Sequence, residues 1–320
     1  MAAFPKYVSD LGHGLVVPEC PASIIDGTMF SFLVDADGAK LQALVDTFLN
    51  APSAGVVEYH VMGSSVMIVF LRAPKHMTTV QPIGYIEDRE FTVWIPLFAR
   101  TRGQPDADRI TFWMPYIVIS SHEGMATGRE IWGFRKTLGT TDVPVDAASA
   151  ARFSSIARVF DPMSYQTLGQ WKPVIEVWKS GEMGELKTVW NDLGLLWHAL
   201  GDLWSKEPRD LHVSRLGLLA DIARLMKPPH KVPIVDLKQF RDCADTSLAC
   251  YQSLVESSCT PSKVTGGLLT GDWTAEFYNY DSYRLATDLG IPAGAGVPVR
   301  MAFWAHMDFS ADLGVEVWRA

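Results

Sequence analysis

The side chain in this sequence best suited to covalent chemistry is Lys136. It lies in the stretch Gly128-Arg129-Glu130-Ile131-Trp132-Gly133-Phe134-Arg135-Lys136-Thr137-Leu138-Gly139. A lysine with an ordinary pKa near 10.4 holds only about one part in a thousand or less of free amine at neutral pH, so a nucleophilic one must be desolvated or crowded by cations. Ile131, Trp132 and Phe134 can wall off water here, and Arg129 and Arg135 carry charge that opposes protonation wherever their heads approach the amine. The plainer alternative is a surface lysine in a turn. A reactive amine condenses with a ketone, and the iminium that results withdraws electrons from the adjacent bond.

Proton transfers in that sequence need an acid or base within hydrogen-bond reach. Glu87, in the acidic run Glu87-Asp88-Arg89-Glu90, is the first candidate, with a solvated carboxylate as its alternative. Arg129 and Glu130 face opposite ways if their segment is extended, which would let Arg129 hold a substrate carboxylate. Trp132, Phe134 and either Trp94 or Phe98 are the rings expected to keep the site dry. His306, in Phe303-Trp304-Ala305-His306-Met307-Asp308, sits on a strand that can end near a pocket, although a satisfied core histidine is the commoner outcome. The eight histidines are scattered, and neither an HExxH, a CxxC pair nor a GxSxG elbow is present. Cys20, Cys243, Cys250 and Cys259 lack metal-ligand spacing and read as reduced thiols.

The elements that must carry these groups are mostly strands. After a lead-in rich in Pro and Gly over residues 1 to 28, Met29 to Val34 reads as a strand, followed by a short amphipathic helix through Leu41, Leu44, Val45 and Phe48. Val56 to Arg72 reads as two strands broken at Gly63-Ser64-Ser65, with Tyr85 to Ala99 and Ile110 to Ser120 as two more. Thr140 to Ala151 reads as loop, then Arg152 to Phe160 and Ile175 to Trp178 as strands. Leu186, Trp190, Leu193, Trp197, Leu200 and Trp204 form a heptad-like seam, and Leu211 to Met226 forms a second helix. This pair is a helical hairpin over about 182 to 228, whose seam is core or else a lid or oligomer contact over the pocket mouth. Val232 to Phe240, Leu248 to Val255 and Trp273 to Tyr278 read as strands, and Ser282 to Leu289 as a short helix.

The block from Gly128-Arg129-Glu130 to Arg135-Lys136-Thr137-Leu138-Gly139 resembles the lysine block of the acetoacetate decarboxylase family, with Lys136 on the Schiff-base lysine. Gly84-Tyr85-Ile86-Glu87 resembles the family segment that carries an active-site glutamate, and Glu123 resembles another family glutamate displaced by one position. Val235 to Lys238, Leu254 to Glu256 and Phe303 to Trp318 resemble its last strands. The resemblance implies one α+β domain over residues 1–320, a large and mostly antiparallel β-sheet closed into a cone or barrel, with the hairpin inserted. It implies a lyase acting on a small keto acid without cofactor or metal, with Glu123 lining the pocket, and a homo-oligomer. The sequence departs from the family where Arg135 replaces its proline and Thr137 its second lysine. No arginine precedes Met29-Phe30-Ser31-Phe32 and no glutamate lies in Val66-Met67-Ile68-Val69, so a β-keto acid other than acetoacetate is expected. Aldol, dehydration or cyclisation chemistry on a 2-oxo acid through the same lysine is the alternative, and a ligand-binding barrel without catalysis is another.

Composition is consistent with that class. The 320 residues are 48% hydrophobic and carry 28 basic against 36 acidic side chains, a net charge of −8 without basic clusters. Nucleic acid and anionic membrane surfaces are therefore unexpected partners. The Met1-Ala2-Ala3-Phe4-Pro5-Lys6 start and the lack of a run of about 18 apolar residues read as a cytoplasmic protein.

Overall fold

The computed structural model describes residues 4–9, 11–14, 17–104, 107–180, 189–190 and 231–320. The expected hairpin over 182–228 lies outside them, apart from Val189–Trp190, which form a two-residue strand where a helix was expected. No helix among the described residues is long and apolar enough to cross a membrane.

The chain begins with β1 (Ala22–Asp35), helix α1 (Gly38–Val45) and a π-helical turn, Asp46–Asn50, that runs into α2 (Ala51–Ser53). Asp37 starts α1 by accepting from the amides of Ala39 and Lys40, the usual role of an aspartate N-cap. Strands β2 (Val57–Val61), β3 (Ser65–Thr78), β4 (Ile86–Thr101) and β5 (Arg109–Ile119) follow, then α3 (His122–Thr127). A second π-helical turn, Gly128–Trp132, leads to β6 (Lys136–Asp142), β7 (Arg152–Val159), β8 (Gln170–Ser180) and β9 (Val189–Trp190). The chain ends with β10 (Val232–Arg241), β11 (Ala249–Leu268), β12 (Asp272–Phe277), α4 (Leu285–Leu289), β13 (Gly296–Ala311) and β14 (Val315–Arg319).

These strands join one large mixed sheet. Most pairs are antiparallel, but β5 pairs in parallel with both β6 and β10. Pairings run from β4 to β5, β10, β11, β13, β1 and β3, and from β3 back to β4. From β6 the sheet continues through β7, β8 and β12 to β13.

Alternation along the strands divides the apolar residues between two compartments. On β4, Phe91, Val93, Ile95 and Leu97 are fully buried in the main core, whereas Asp88, Glu90, Thr92 and Trp94 line a cavity on the other face. On β3, Ile68 and Phe70 join the core while Met67, Val69 and Leu71 line the cavity. At the centre of the core, the Phe153 ring from β7 lies 4.9 Å from Phe30, 5.0 Å from Phe32 and 5.2 Å from Phe70. It thereby ties the second half of the sheet to β1 and β3.

Candidate active site

Lys136 is delivered by the crossover from β5 to β6. Because those strands are parallel, with Ile117 opposite Lys136, the chain must return along the sheet before it can enter β6. Ser121 opens the return by accepting from the Gly124 amide at 3.1 Å. At the end of the π-helical turn, Gly133 takes φ +83°, with the Lys238 backbone only 2.5 Å from where its Cβ would lie, so only glycine is suited to this bend. Phe134 N–H donates to Gly128 O at 3.0 Å, and Lys136 begins β6 with its side chain pointing into the cavity.

The cavity holds about 170 Å³ and is walled chiefly by apolar side chains, among them Ile24, Met29, Val69, Trp94, Met307 and Phe309. Lys136 is 8% exposed, and its Nζ donates to Glu90 Oε2 at 3.1 Å. The amine also lies 5.8 Å from the Phe134 ring centre, and that ring stacks on Trp132 at 5.5 Å. Trp132 is fixed by donation from Nε1 to the Asp312 carbonyl at 2.9 Å.

A second carboxylate, Asp88, lies on the same face of β4. It accepts from Ser120 Oγ and Ser121 Oγ, each at 2.7 Å, and from the Arg89 amide at 3.0 Å, with His76 Nδ1 at 3.4 Å. Burial alone would raise the Asp88 carboxyl, yet the bond to His76, the nearby Lys136 charge and the bonds from Ser121 and Ser120 hold it below its ordinary value of 3.8. Two thiols also feel the lysine. Burial pushes Cys20 and Cys259 up to about 12 against the opposing effect of Lys136, and all four cysteines are free.

An outer chamber of about 180 Å³ adjoins the first, sharing Ala22, His76, Gly124 and Thr127 with it. Glu19, Tyr85 and Glu123 are among its walls.

Of the residues singled out from sequence, Lys136, Trp132, Phe134 and Trp94 meet in the inner cavity. Glu87 does not, which corrects the expectation for it. As an odd-numbered neighbour of Asp88 and Glu90 it points away, about half exposed, 3.6 Å from both Arg72 and Arg89. Glu123 lines the outer chamber instead of the inner one and pairs with His122 at 3.2 Å. Arg129 is exposed and lines neither chamber. Phe98 is buried behind the wall, packed with Met62, Ile110 and Phe112. His306 is turned to Thr28 Oγ1 at 3.3 Å and is also outside the lining.

Arg135 is not the missing cation either. Its guanidinium lies 3.8 Å over the Phe48 ring, against the core side of the sheet, as alternation about Lys136 requires. The groups that sequence reasoning missed are Glu90, Asp88, His76 and Thr127. For the two carboxylates a signal existed: Asp88, Glu90 and Thr92 form a polar phase against Phe91, Val93 and Ile95. Among the described residues no cluster of three or more His, Cys, Asp or Glu is arranged to hold a metal ion.

No protein-family model matches the sequence, and no curated protein matches it in sequence. Solved structures do match over almost the whole chain, and they define its class: it has the fold of the acetoacetate decarboxylase-like enzymes. The acetoacetate decarboxylase of Legionella pneumophila is 15% identical with a TM-score of 0.57, over 99% of each chain. An acetoacetate decarboxylase-like enzyme from Sphingomonas wittichii RW1 is 12% identical with a TM-score of 0.57, over 99% of this chain and all of that one. The enduracididine biosynthesis enzyme MppR, bound to the condensation product of pyruvate and imidazole 4-carboxaldehyde, is 14% identical with a TM-score of 0.53, over 98% of this chain and 97% of that one.

Proposed function

We propose that this protein is a divergent member of the acetoacetate decarboxylase family, a lyase that binds a small β-keto acid as an imine on Lys136 and releases carbon dioxide from it. The observation that carries the reading is a buried lysine amine, 3.1 Å from a carboxylate, in a cavity walled chiefly by apolar side chains. The sequence block around Lys136 and the shared fold support it from two independent directions. The sheet is read as closed into a barrel around that cavity, supported by the pairings that run from β4 round to β3 and back. A cytoplasmic setting and assembly as a homo-oligomer belong to the same proposal.

The chemistry follows from the positions. Glu90 accepts the proton that the ammonium must lose, and the freed amine attacks the substrate ketone. Returning that proton to the carbinolamine oxygen expels water and leaves an iminium beside Glu90, where opposite charges attract in a cavity of low polarity. The bond to the carboxylate carbon then breaks. Its electron pair moves into the iminium to give an enamine, carbon dioxide leaves, a proton taken from solvent through Glu90 adds at carbon, and hydrolysis of the new iminium returns the ketone and the lysine ammonium. Trp132, Phe134 and Trp94 limit water until the last step.

A second reading uses the same imine for aldol, dehydration or cyclisation chemistry on a 2-oxo acid. The similarity to MppR, whose bound product derives from pyruvate, is the observation that favours it. Borohydride reduction in the presence of β-keto and 2-oxo acids, followed by intact mass and peptide mapping, separates the two. A Lys136 adduct lacking carbon dioxide is expected from the first class, and an adduct retaining the carboxylate and formed only with the second class supports the alternative. Absence of any adduct returns the protein to the ligand-binding reading.

A further inference from the structure

The throat between the two chambers carries an unused polar pair. Thr127 ends α3 and is 6% exposed, and its hydroxyl is buried without a hydrogen-bond partner. A buried hydroxyl left unmatched costs about 1–3 kcal/mol, a cost that a ligand bound at this wall would offset. His76 lines the same throat. Its Nδ1 is taken up by Asp88, which leaves Nε2 for a group in the cavity. Asp88 is itself seated against α3, since a Cβ at Gly124 would fall 2.6 Å from Asp88 Oδ2.

Hydrogen-bond donors, not net charge, single out the throat as the place for an anion, since Asp88 and Glu90 also line the inner chamber beside Lys136. Among the described residues lining either chamber, Lys136 is the only lysine or arginine and His76 the only histidine. Glu19 and Glu123 line the outer chamber and repel an anion placed there. The rest of the inner lining is chiefly apolar, and Met29, Val69, Leu71, Phe303, Met307 and Phe309 offer no partner to a carboxylate. Thr127 is also next in the chain to Gly128, whose missing Cβ would lie 2.8 Å from Lys136 Cδ and Cε. Thr127 and Lys136 line the same inner chamber, so a group bound at the hydroxyl shares that chamber with the amine. The inner volume of about 170 Å³ compares with the cavity of about 150 Å³ that takes up benzene.

We infer that Thr127 and His76 form the carboxylate subsite of a keto acid whose carbonyl reaches Lys136 and whose apolar substituent, about the size of a benzene ring, fills the inner chamber. The inference rests on the imine reading of Lys136. It assigns to a hydroxyl and an imidazole the carboxylate recognition for which neither Arg129 nor Arg135 is positioned.

The test compares two probes that differ only by the carboxylate: a benzyl-substituted β-keto acid, and the neutral benzyl methyl ketone left when it loses carbon dioxide. The readout is the concentration giving half-maximal borohydride-trapped adduct on Lys136, in the full chain, with thermal melting as the check on folding. Thr127→Val is expected to raise that concentration at least about tenfold for the acid, as for loss of a hydrogen bond to a charged group, and less than about twofold for the ketone. Thr127→Ser restores the value for the acid, and His76→Gln raises it for the acid alone. Equal changes for both probes, or no change for either, overturn the subsite while leaving the imine intact. If the unaltered chain forms no adduct with either probe, the imine reading falls and the subsite falls with it.

Discussion

Gly128 and Lys136 are fitted to one another: a Cβ at position 128 would fall 2.8 Å from both Cδ and Cε of the lysine and 3.4 Å from its Nζ. The glycine that opens the π-helical turn is therefore the space in which the lysine stem lies. Gly128→Ala must displace the amine from Glu90. A displacement near 1 Å costs about a hundredfold in rate, so adduct formation is expected to slow by about that factor, with a melting temperature that shows a folded protein. A variant that traps substrate at the original rate contradicts the fit.

The two glutamates of the acidic run are expected to separate cleanly. Glu90 touches the amine at 3.1 Å, whereas Glu87 is on the other face with Arg72 and Arg89. Glu90→Gln is predicted to lower kcat by about 10²–10⁴-fold, the range for loss of a general acid or base, and Glu87→Gln by no more than about twofold. Steady-state kinetics with any turned-over keto acid decide this, and equal losses in the two variants go against it.

Asp88 gives a stability prediction whose sign follows from its pKa. Its carboxyl is held below 3.8 in the folded chain, so its contribution is complete above that ordinary value and fades as pH falls from there through the lower folded value. Asp88→Asn, which leaves the Ser120 and Ser121 hydroxyls facing an amide, is expected to cost about 1–3 kcal/mol at pH 7. Urea unfolding at a series of pH values should show the gap between the two proteins narrowing below about pH 4. A gap that widens in acid is the contrary result.

Phe153 is the hub of the main core, with Phe30, Phe32 and Phe70 all within 5.2 Å of its ring centre. Phe153→Ala is expected to destabilise the fold by about 3–5 kcal/mol, read from denaturant midpoints at unchanged m-value. Adduct formation on Lys136 in the fraction that remains folded should be nearly normal, because the ring is on the core side of the sheet.

The enclosure of Lys136 was legible from Trp132 and Phe134 beside it, whereas the role proposed for it came from the resemblance of the whole block, since a surface lysine in a turn was the ordinary alternative. The lysine's partner was not legible. A cavity-lining phase and a solvent-facing phase look alike when both are polar, so Glu87 and Glu90 are distinguished only by knowing that Phe91, Val93 and Ile95 turn to the core. The same alternation, available in sequence, was the hint that Arg135 faces away from the amine. Thr140 to Asp142 read as loop because β6 has no apolar rhythm; its pairing with β5 and β7 supplies what its own residues lack. Likewise β11 extends from the expected Leu248 to Val255 stretch through polar residues to Leu268, held by β10 on one edge and β13 along its second half. The throat was invisible for another reason. Thr127 and His76 are far apart in sequence, and only the packing of α3 against Asp88 brings them to one wall.

The most direct test of the account is borohydride trapping on the unaltered chain and on Lys136→Ala, with mass mapping of the modified peptide. Imine chemistry on Lys136 gives a single reduced adduct on that residue whose mass, with a β-keto acid, lacks carbon dioxide, and none in the alanine variant. Turnover of a keto acid by Lys136→Ala at the original rate, or an adduct mapped to another lysine, would contradict it.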